Sequence, residues 1–241
     1  MDERWSFITD FLSGQREKDC LRVLRTLWPS GSPSRVNLDG RNLLNLASND
    51  YLGLRGDPRL AEAASQAASR CGMGSGGSRL ICGTTEAHEE AEVALAAFHG
   101  TEAALTFSSG YAAGVGVIAS LAGRGDRVYL DRLAHASLYD GARLSGARIN
   151  RFRHKDIDHL AGLLDRDSGQ TGRALVVTDA VFSMDGDRTD VAETASLCRG
   201  HGALFLLDEA HSTAVLGPRG RGLAYEAQLA PEDVLVLGTL G

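Results

Sequence analysis

The sequence predicts an α/β fold in which a mostly parallel sheet is covered by helices on both faces. Short apolar segments alternate with helical segments along most of the 241 residues, which is the pattern of a doubly covered parallel sheet. Several helical segments stop at glycine (Gly100, Gly123 and Gly202), as expected for left-handed C-terminal caps. Glycine accounts for 29 residues, about 12% against a usual ~7%, so many tight turns are expected.

The chain is expected to begin with a helix and linker, residues 1–45, and to continue as a larger domain, residues 46–241. Apolar residues recur at helical spacing between Asp2 and Trp28, until Pro29 breaks the pattern, and Leu43–Ala47 is a predicted short strand. Further helices are predicted at Pro58–Arg70, Glu86–His99, Gly110–Leu121, Ser137–Leu144, Ile157–Asp165 and Val191–His201. Further strands are predicted at Ala103–Phe107, Arg127–Leu130, Arg148–Phe152, Ala174–Thr178, Leu204–Leu207 and Val234–Leu237.

Charge and composition exclude several classes of function. Acidic residues outnumber basic ones by 31 to 25, and this net charge of −6 is spread along the chain, which argues against a nucleic-acid surface. No apolar run approaches the ~18 residues of a membrane helix, and the first residues do not resemble a signal peptide. We therefore expect a soluble, cytoplasmic protein. The four cysteines lack ligand spacing, so no metal site is predicted.

Polar residues follow several predicted strands, where ligands of parallel sheets usually bind. The free N–H groups of Gly110 and Tyr111 could form an anion cup at a helix start, although this segment taken alone is better explained as an ordinary helix entry. His135 follows the next strand and could also be a surface or capping histidine. Ser183 lies between apolar neighbours near the same edge, while the nearby acidic residues are expected to shape a turn.

Asp208 gives the sharpest signal, because it ends a fully apolar strand and is followed three residues later by His211. A buried carboxylate is costly without a cationic partner. That partner could be Arg219 or Arg221, or it could be a bound cationic heterocycle. The same Asp-Glu-Ala-His letters occur in helicases, but the lysine-containing phosphate loop which those enzymes need is missing.

These residues together suit pyridoxal 5′-phosphate (PLP), which needs a carboxylate for its ring nitrogen, a group stacked on the ring, and a phosphate site. Asp208, His135 and the Gly110–Tyr111 backbone could supply them in that order. The cofactor also needs a lysine, and the chain has only Lys18 and Lys155.

Five motifs in register resemble the α-oxoamine synthases, a family of fold-type I transferases that use PLP. The resemblance extends over nearly the whole chain and implies that residues 46–241 are the PLP-binding major domain. The motifs are Ser48-Asn-Asp-Tyr-Leu-Gly-Leu54, Gly74-Ser-Gly-Gly-Ser-Arg79, His135-Ala-Ser137, Phe182-Ser-Met-Asp-Gly-Asp187 and Asp208-Glu-Ala-His211.

The resemblance implies a role for each site residue. Asp208 would pair with the ring nitrogen, His135 would stack on the ring, and Ser183 and His211 would bind its phenolic oxygen; His135, Asp208 and His211 are therefore the implied catalytic residues. The phosphate would be held by Gly110, Tyr111 and Thr239, and the substrates by Arg22, Asn49 and His135. A salt-bridged surface role for Arg22 and a turn-forming role for Asn49 remain alternatives.

The implied reaction is a decarboxylating condensation of an amino acid with an acyl thioester in a homodimer. The motifs favour L-alanine with pimeloyl-CoA or a pimeloyl-carrier protein, as in biotin synthesis; glycine with an acetyl group is the alternative within the family. The resemblance implies that the family's Schiff-base lysine would directly follow Gly241 and that its C-terminal domain would lie beyond this chain. Activity is therefore expected of a longer parent protein. Besides the two reactions, a third possibility is that the chain is a non-catalytic module.

Overall fold

The computed structural model describes residues 3–240, which form two compact units, one extending to Asp57 and one starting at Pro58. The boundary expected between residues 45 and 46 stays a prediction. Within the described range no helix is both long and apolar enough to cross a membrane.

The first unit contains a short 3-10 helix, Glu3–Trp5, and helix α1, Ser6–Glu17. Its three-stranded antiparallel sheet has the order β1 (Trp28–Pro29), β2 (Arg35–Leu38) and β3 (Arg41–Leu44). Another 3-10 turn, Leu54–Gly56, precedes the second unit. The helical pattern predicted up to Trp28 is wrong beyond Glu17, because the backbone of Asp19 takes a left-handed φ of 53° that an α-helix cannot contain.

The second unit is built on a five-stranded sheet, entirely parallel, in the order β5-β4-β6-β7-β8. Its strands are β4 (Arg127–Asp131), β5 (Arg148–Phe152), β6 (Ala174–Asp179), β7 (Leu204–Asp208) and β8 (Leu235–Leu237). Its helices are α2 (Pro58–Cys71), α3 (Arg79–Cys82), α4 (Glu86–His99), α5 (Gly110–Leu121), α6 (Ala136–Ser145), α7 (Ile157–Arg166), α8 (Val191–Gly200) and α9 (Leu223–Glu226), with a 3-10 turn at Pro218–Gly220.

Helices cover both faces of this sheet. Ile118 of α5 and Leu138 of α6 pack on one face, in a cluster with residues of β4, β6 and β7. Leu160 of α7, Ala195 of α8 and Leu223 of α9 pack on the other face. All five of these side chains are at most 5% exposed. The predicted doubly covered, parallel α/β architecture is therefore confirmed.

The strand predicted at Ala103–Phe107 is wrong. This segment has no regular secondary structure, and two of its apolar side chains are exposed, Leu105 by 66% and Phe107 by 40%. A strand needs a neighbouring backbone to receive its N–H groups. Here the N–H of Thr106 donates instead to the carboxylate of Glu92 on α4, at 2.7 Å.

Candidate functional site

Three of the parallel strands end in a buried aspartate. Asp131 ends β4, Asp179 ends β6 and Asp208 ends β7, with exposed fractions of 0%, 4% and 5%. Asp179 and Asp208 are paired in the register of β6 and β7. The carboxyl edge of the sheet therefore concentrates acidic side chains where ligands of such sheets bind.

Asp208 forms no ion pair with any arginine or lysine between residues 3 and 240. Its Oδ1 accepts a hydrogen bond from the N–H of Ala210 at 2.9 Å. Burial raises the pKa of Asp208, while that N–H and the nearby His135 and His211 act to lower it. Arg221, one of the two expected partners, instead donates to the backbone carbonyl of Phe98. The carboxylate therefore lacks a permanent counter-cation in this part of the chain.

Asp179 is a site residue that the sequence did not single out. Burial, and then repulsion from Asp208, raises the pKa of Asp179 to about 8. Its Oδ2 accepts a hydrogen bond from the backbone N–H of His135 at 3.1 Å. Asp179 is thus largely protonated at neutral pH, which limits the negative charge beside Asp208. Its position at a strand end is the sequence signal that could have identified it.

His135 begins helix α6 as its N-cap residue. Its Nδ1 accepts from the N–H of Ser137 at 3.3 Å and lies 2.8 Å from the hydroxyl of that residue. These contacts orient the imidazole, and in the neutral ring they favour the tautomer with its proton on Nε2. His135 is exposed, so the oriented ring is accessible to a ligand.

The start of helix α5 and Thr239 form what we call the anion cradle: the N–H groups of Gly110 and Tyr111 together with the Thr239 side chain. Ser109 caps the helix by accepting from the N–H of Ala112 at 3.1 Å. Neither N–H of the cradle donates to another described residue, so both are available to an anion. A Cβ on Gly110 would lie 2.5 Å from Cγ2 of Thr239, which explains why glycine stands there.

The remaining predicted residues are less constrained. Ser183 is exposed and makes no hydrogen bond to the described part of the chain, and His211 lies near enough to Asp208 to affect its pKa. Arg22 and Asn49 belong to the first unit, and Arg22 forms no ion pair within residues 3–240. The carbonyl of Asn49 accepts from the N–H of Tyr51 at 2.9 Å, as in a turn. Their substrate roles stay predictions.

Glu209 is a second residue that the sequence analysis missed. It is fully buried; Oε1 accepts from the N–H of Ala224 at 2.7 Å, and Oε2 from the hydroxyl of Ser212 at 3.1 Å. Any Cβ on Gly222 would overlap this carboxylate, which explains why glycine stands at that position. Glu209 therefore holds the loop after β7, directly beside Asp208.

The residues at this edge fit PLP. Asp208 is a buried carboxylate without a counter-cation, as a pyridinium nitrogen requires, and the anion cradle suits a phosphate. Of the two lysines, Lys155 belongs to the second unit, where its Nζ lies 2.9 Å from Oδ2 of Asp187, and Lys18 belongs to the first unit.

Comparison with known proteins identifies the protein family to which the chain belongs. The family described as aminotransferase class I and II matches residues 41–241, and the chain belongs to this family. Its curated relatives include the 8-amino-7-oxononanoate synthase of Alkalilimnicola ehrlichii, which is 49% identical over 97% of this chain and 60% of that protein. The synthase of Geotalea daltonii is 50% identical over 86% of this chain and 53% of that protein.

Solved structures agree with this assignment. A serine palmitoyltransferase of Sphingomonas wittichii matches with a TM-score of 0.86 and 36% identity, covering 98% of this chain and 59% of that one. An 8-amino-7-oxononanoate synthase of Francisella tularensis matches with a TM-score of 0.65 and 28% identity, over 79% and 52% of the two chains. These relatives confirm the fold-type I architecture and the resemblance to α-oxoamine synthases. The chain spans about 60% of the length of the curated relatives.

Proposed function

We propose that this chain is the cofactor-binding part of an 8-amino-7-oxononanoate synthase, which condenses L-alanine with a pimeloyl thioester and releases carbon dioxide. The observation that carries the proposal is the 49% identity to a curated synthase over 97% of the chain. The site supports it independently, because the edge that the sequence predicted for PLP contains a carboxylate and an anion cradle of the required kinds.

Four groups of this chain would hold PLP. Asp208 would bind the ring nitrogen, the anion cradle would bind the phosphate, His135 would stack on the ring, and Ser183 and His211 would donate to the phenolic oxygen. When bound, the cofactor supplies an electron sink for the carbanion formed at the amino acid. The protein supplies orientation and proton control.

Asp208 would act through its charge. Burial raises the pKa of this carboxyl, so a cationic ring nitrogen beside it would favour the ionised form and would in turn stay protonated. Asp179, protonated at neutral pH, would add little competing negative charge. Its hydrogen bond to the backbone of His135 would keep the stacking residue at the edge of the sheet.

The proposed substrates rest on the resemblance of this chain to the curated synthases. L-alanine and pimeloyl-CoA, or a pimeloyl-carrier protein, would be the two partners, with Arg22 and Asn49 contributing to their binding. The active form would be a cytoplasmic homodimer.

Two experiments test the proposal. Pyridoxamine 5′-phosphate, which needs no lysine, should bind the 241-residue chain, and Asp208→Asn should weaken binding by about tenfold through loss of the charged contact. The natural gene product, incubated with PLP, L-alanine and pimeloyl-CoA, should yield 8-amino-7-oxononanoate by mass spectrometry. Product formed only from glycine and acetyl-CoA would contradict the proposed substrates. Equal binding of pyridoxamine 5′-phosphate by the unsubstituted chain and by Asp208→Asn would contradict the proposed cofactor site.

A further inference from the structure

His154 lies between two carboxylates that come from different elements. Its Nδ1 is 3.0 Å from Oδ1 of Asp131, and its Nε2 is 3.0 Å from Oδ2 of Asp187. An imidazole can donate from both nitrogens only when it is protonated. Burial acts to lower the pKa of His154, but the two carboxylates outweigh it and raise this pKa. The imidazolium therefore ties the end of β4 to the segment after β6.

The Asp131 side of this bridge is fixed by the backbone. Asp131 is fully buried and accepts from the N–H groups of Leu133 and Lys155, each at 2.8 Å. Lys155 takes a left-handed φ of 56°, and its Nζ lies 2.9 Å from Oδ2 of Asp187. Two consecutive residues, His154 and Lys155, thus reach the same carboxylate from a single anchored loop.

The Asp187 side of the bridge closes a turn, residues 182–187. The N–H of Phe182 donates to the carbonyl of Asp187 at 3.0 Å, and the N–H of Gly186 donates to the carbonyl of Phe182 at 2.8 Å. The Phe182 ring is 2% exposed and packs edge-on against the His154 ring, at 4.3 Å between centroids. Both ends of the turn that presents Ser183 therefore contact His154.

We propose that His154 is a positioning residue, which holds the 182–187 turn against the end of β4 and thereby fixes the exposed Ser183 at the edge of the sheet. The inference rests on the proposed function, since Ser183 is one of the donors expected to reach the cofactor's phenolic oxygen. Because Ser183 makes no hydrogen bond to a described residue, its position depends on the two ends of its turn.

Hydrogen exchange tests the first half of the proposal without any cofactor. In His154→Ala, the amides of Phe182 and Gly186 should exchange about tenfold faster than in the unsubstituted chain. His201→Ala is the matched control, because His201 also pairs with a carboxylate, that of Asp165 at 2.9 Å, at another place in the unit. It should leave both amides unchanged. Unchanged exchange in His154→Ala, or equal acceleration in the control, would overturn the proposal.

A double-mutant cycle with pyridoxamine 5′-phosphate tests the second half. His154→Ala and Ser183→Ala should each weaken binding by about tenfold, the effect of one hydrogen bond, and should shift the absorption band that reports the phenolic group in the same direction. The double variant should bind pyridoxamine 5′-phosphate as tightly as whichever single variant has the lower affinity, because both changes remove the same contact. His201→Ala should bind normally.

The outcomes separate the two proposals. Additive losses in the cycle, or normal binding by His154→Ala, would show that His154 does not position Ser183 and would overturn the inference alone. An unsubstituted chain that binds no pyridoxamine 5′-phosphate would contradict the proposed function and with it the link to the cofactor. In that case the exchange rates still decide whether His154 holds the turn.

Discussion

Asp179 and Asp208 end neighbouring parallel strands as partners in register, and each is at most 5% exposed. Two carboxyl groups so placed cannot both ionise cheaply, because burial and mutual repulsion favour the neutral form. The pKa of both is raised, that of Asp179 to about 8. Asp208 is therefore the carboxyl group of the two that a cationic ligand group would pair with in its ionised form.

The first prediction concerns stability and pH in Asp179→Asn. An unfolded Asp179 ionises near pH 4, whereas the folded one keeps its proton up to about pH 8. The unsubstituted protein should therefore lose stability as the pH rises from about 4 to about 8. Asparagine keeps an oxygen for the N–H of His135 and cannot ionise, so the loss should shrink by a few kcal/mol, on the order expected for a buried acid. Urea unfolding at pH 5 and pH 8 measures it; an equal pH dependence in both proteins would refute the assignment.

The second prediction concerns the anion cradle. Gly110→Ala places a methyl carbon 2.5 Å from Cγ2 of Thr239, which must shift, so pyridoxamine 5′-phosphate should bind about tenfold more weakly. Adding Thr239→Ser removes Cγ2 but keeps the hydroxyl, and should restore much of the affinity. Titration of the three proteins followed by absorbance is the measurement. Failure of the serine to rescue Gly110→Ala would mean that the two residues do not share the cradle.

The third prediction concerns Glu209. Glu209→Ala leaves the buried N–H of Ala224 without its acceptor and should lower the free energy of unfolding by about 2–4 kcal/mol. Glu209→Gln keeps an oxygen for that N–H and should cost much less. Chemical denaturation of both variants makes the comparison, and similar losses would show that the hydrogen bond to Ala224 is not what stabilises the loop.

The fourth prediction concerns Glu92, whose two oxygens accept from Arg79 at 2.6 and 2.9 Å. The Arg79 guanidinium, followed by the N–H of Thr106, lowers the pKa of Glu92 to about 2. The stabilisation is thus present above pH 4.5, the ordinary value, and is lost as the pH falls towards 2. Glu92→Gln should cost about 1–2 kcal/mol at pH 7 and progressively less in acid. A constant difference between pH 7 and pH 3 would argue against the ionised pair.

Local signals predicted much of the second unit. The bounds of Glu86–His99 and Gly110–Leu121 match the structure, because Thr85 and Ser109 are favourable residues at helix starts. Predicted β4, β6 and β7 each stopped one residue early, just before the aspartate, because a polar residue reads as the end of a buried strand. In the structure, each aspartate continues its ladder and is its last member.

Contacts between distant segments could not be predicted from local sequence patterns. Nothing local indicates that His154 meets Asp187, 33 residues away, or that Thr106 gives its N–H to Glu92 rather than to a strand. The predicted roles of Asp208 and of the α5 start are supported by their surroundings, since they depend on strand and helix ends that periodicity reveals. The roles of Ser183, His211, Arg22 and Asn49 rest on resemblance and stay predictions.

Gly110 and Thr239, which meet in the anion cradle, are separated by 129 positions along the chain, and Thr239 is the second residue after the edge strand β8. The cradle therefore exists only in molecules whose edge strand is docked on β7. Any phosphate that binds there must stabilise the docked state by its own binding free energy. Cofactor binding and completion of the sheet are in this way one equilibrium, so an excess of ligand should protect the edge strand β8 from local opening.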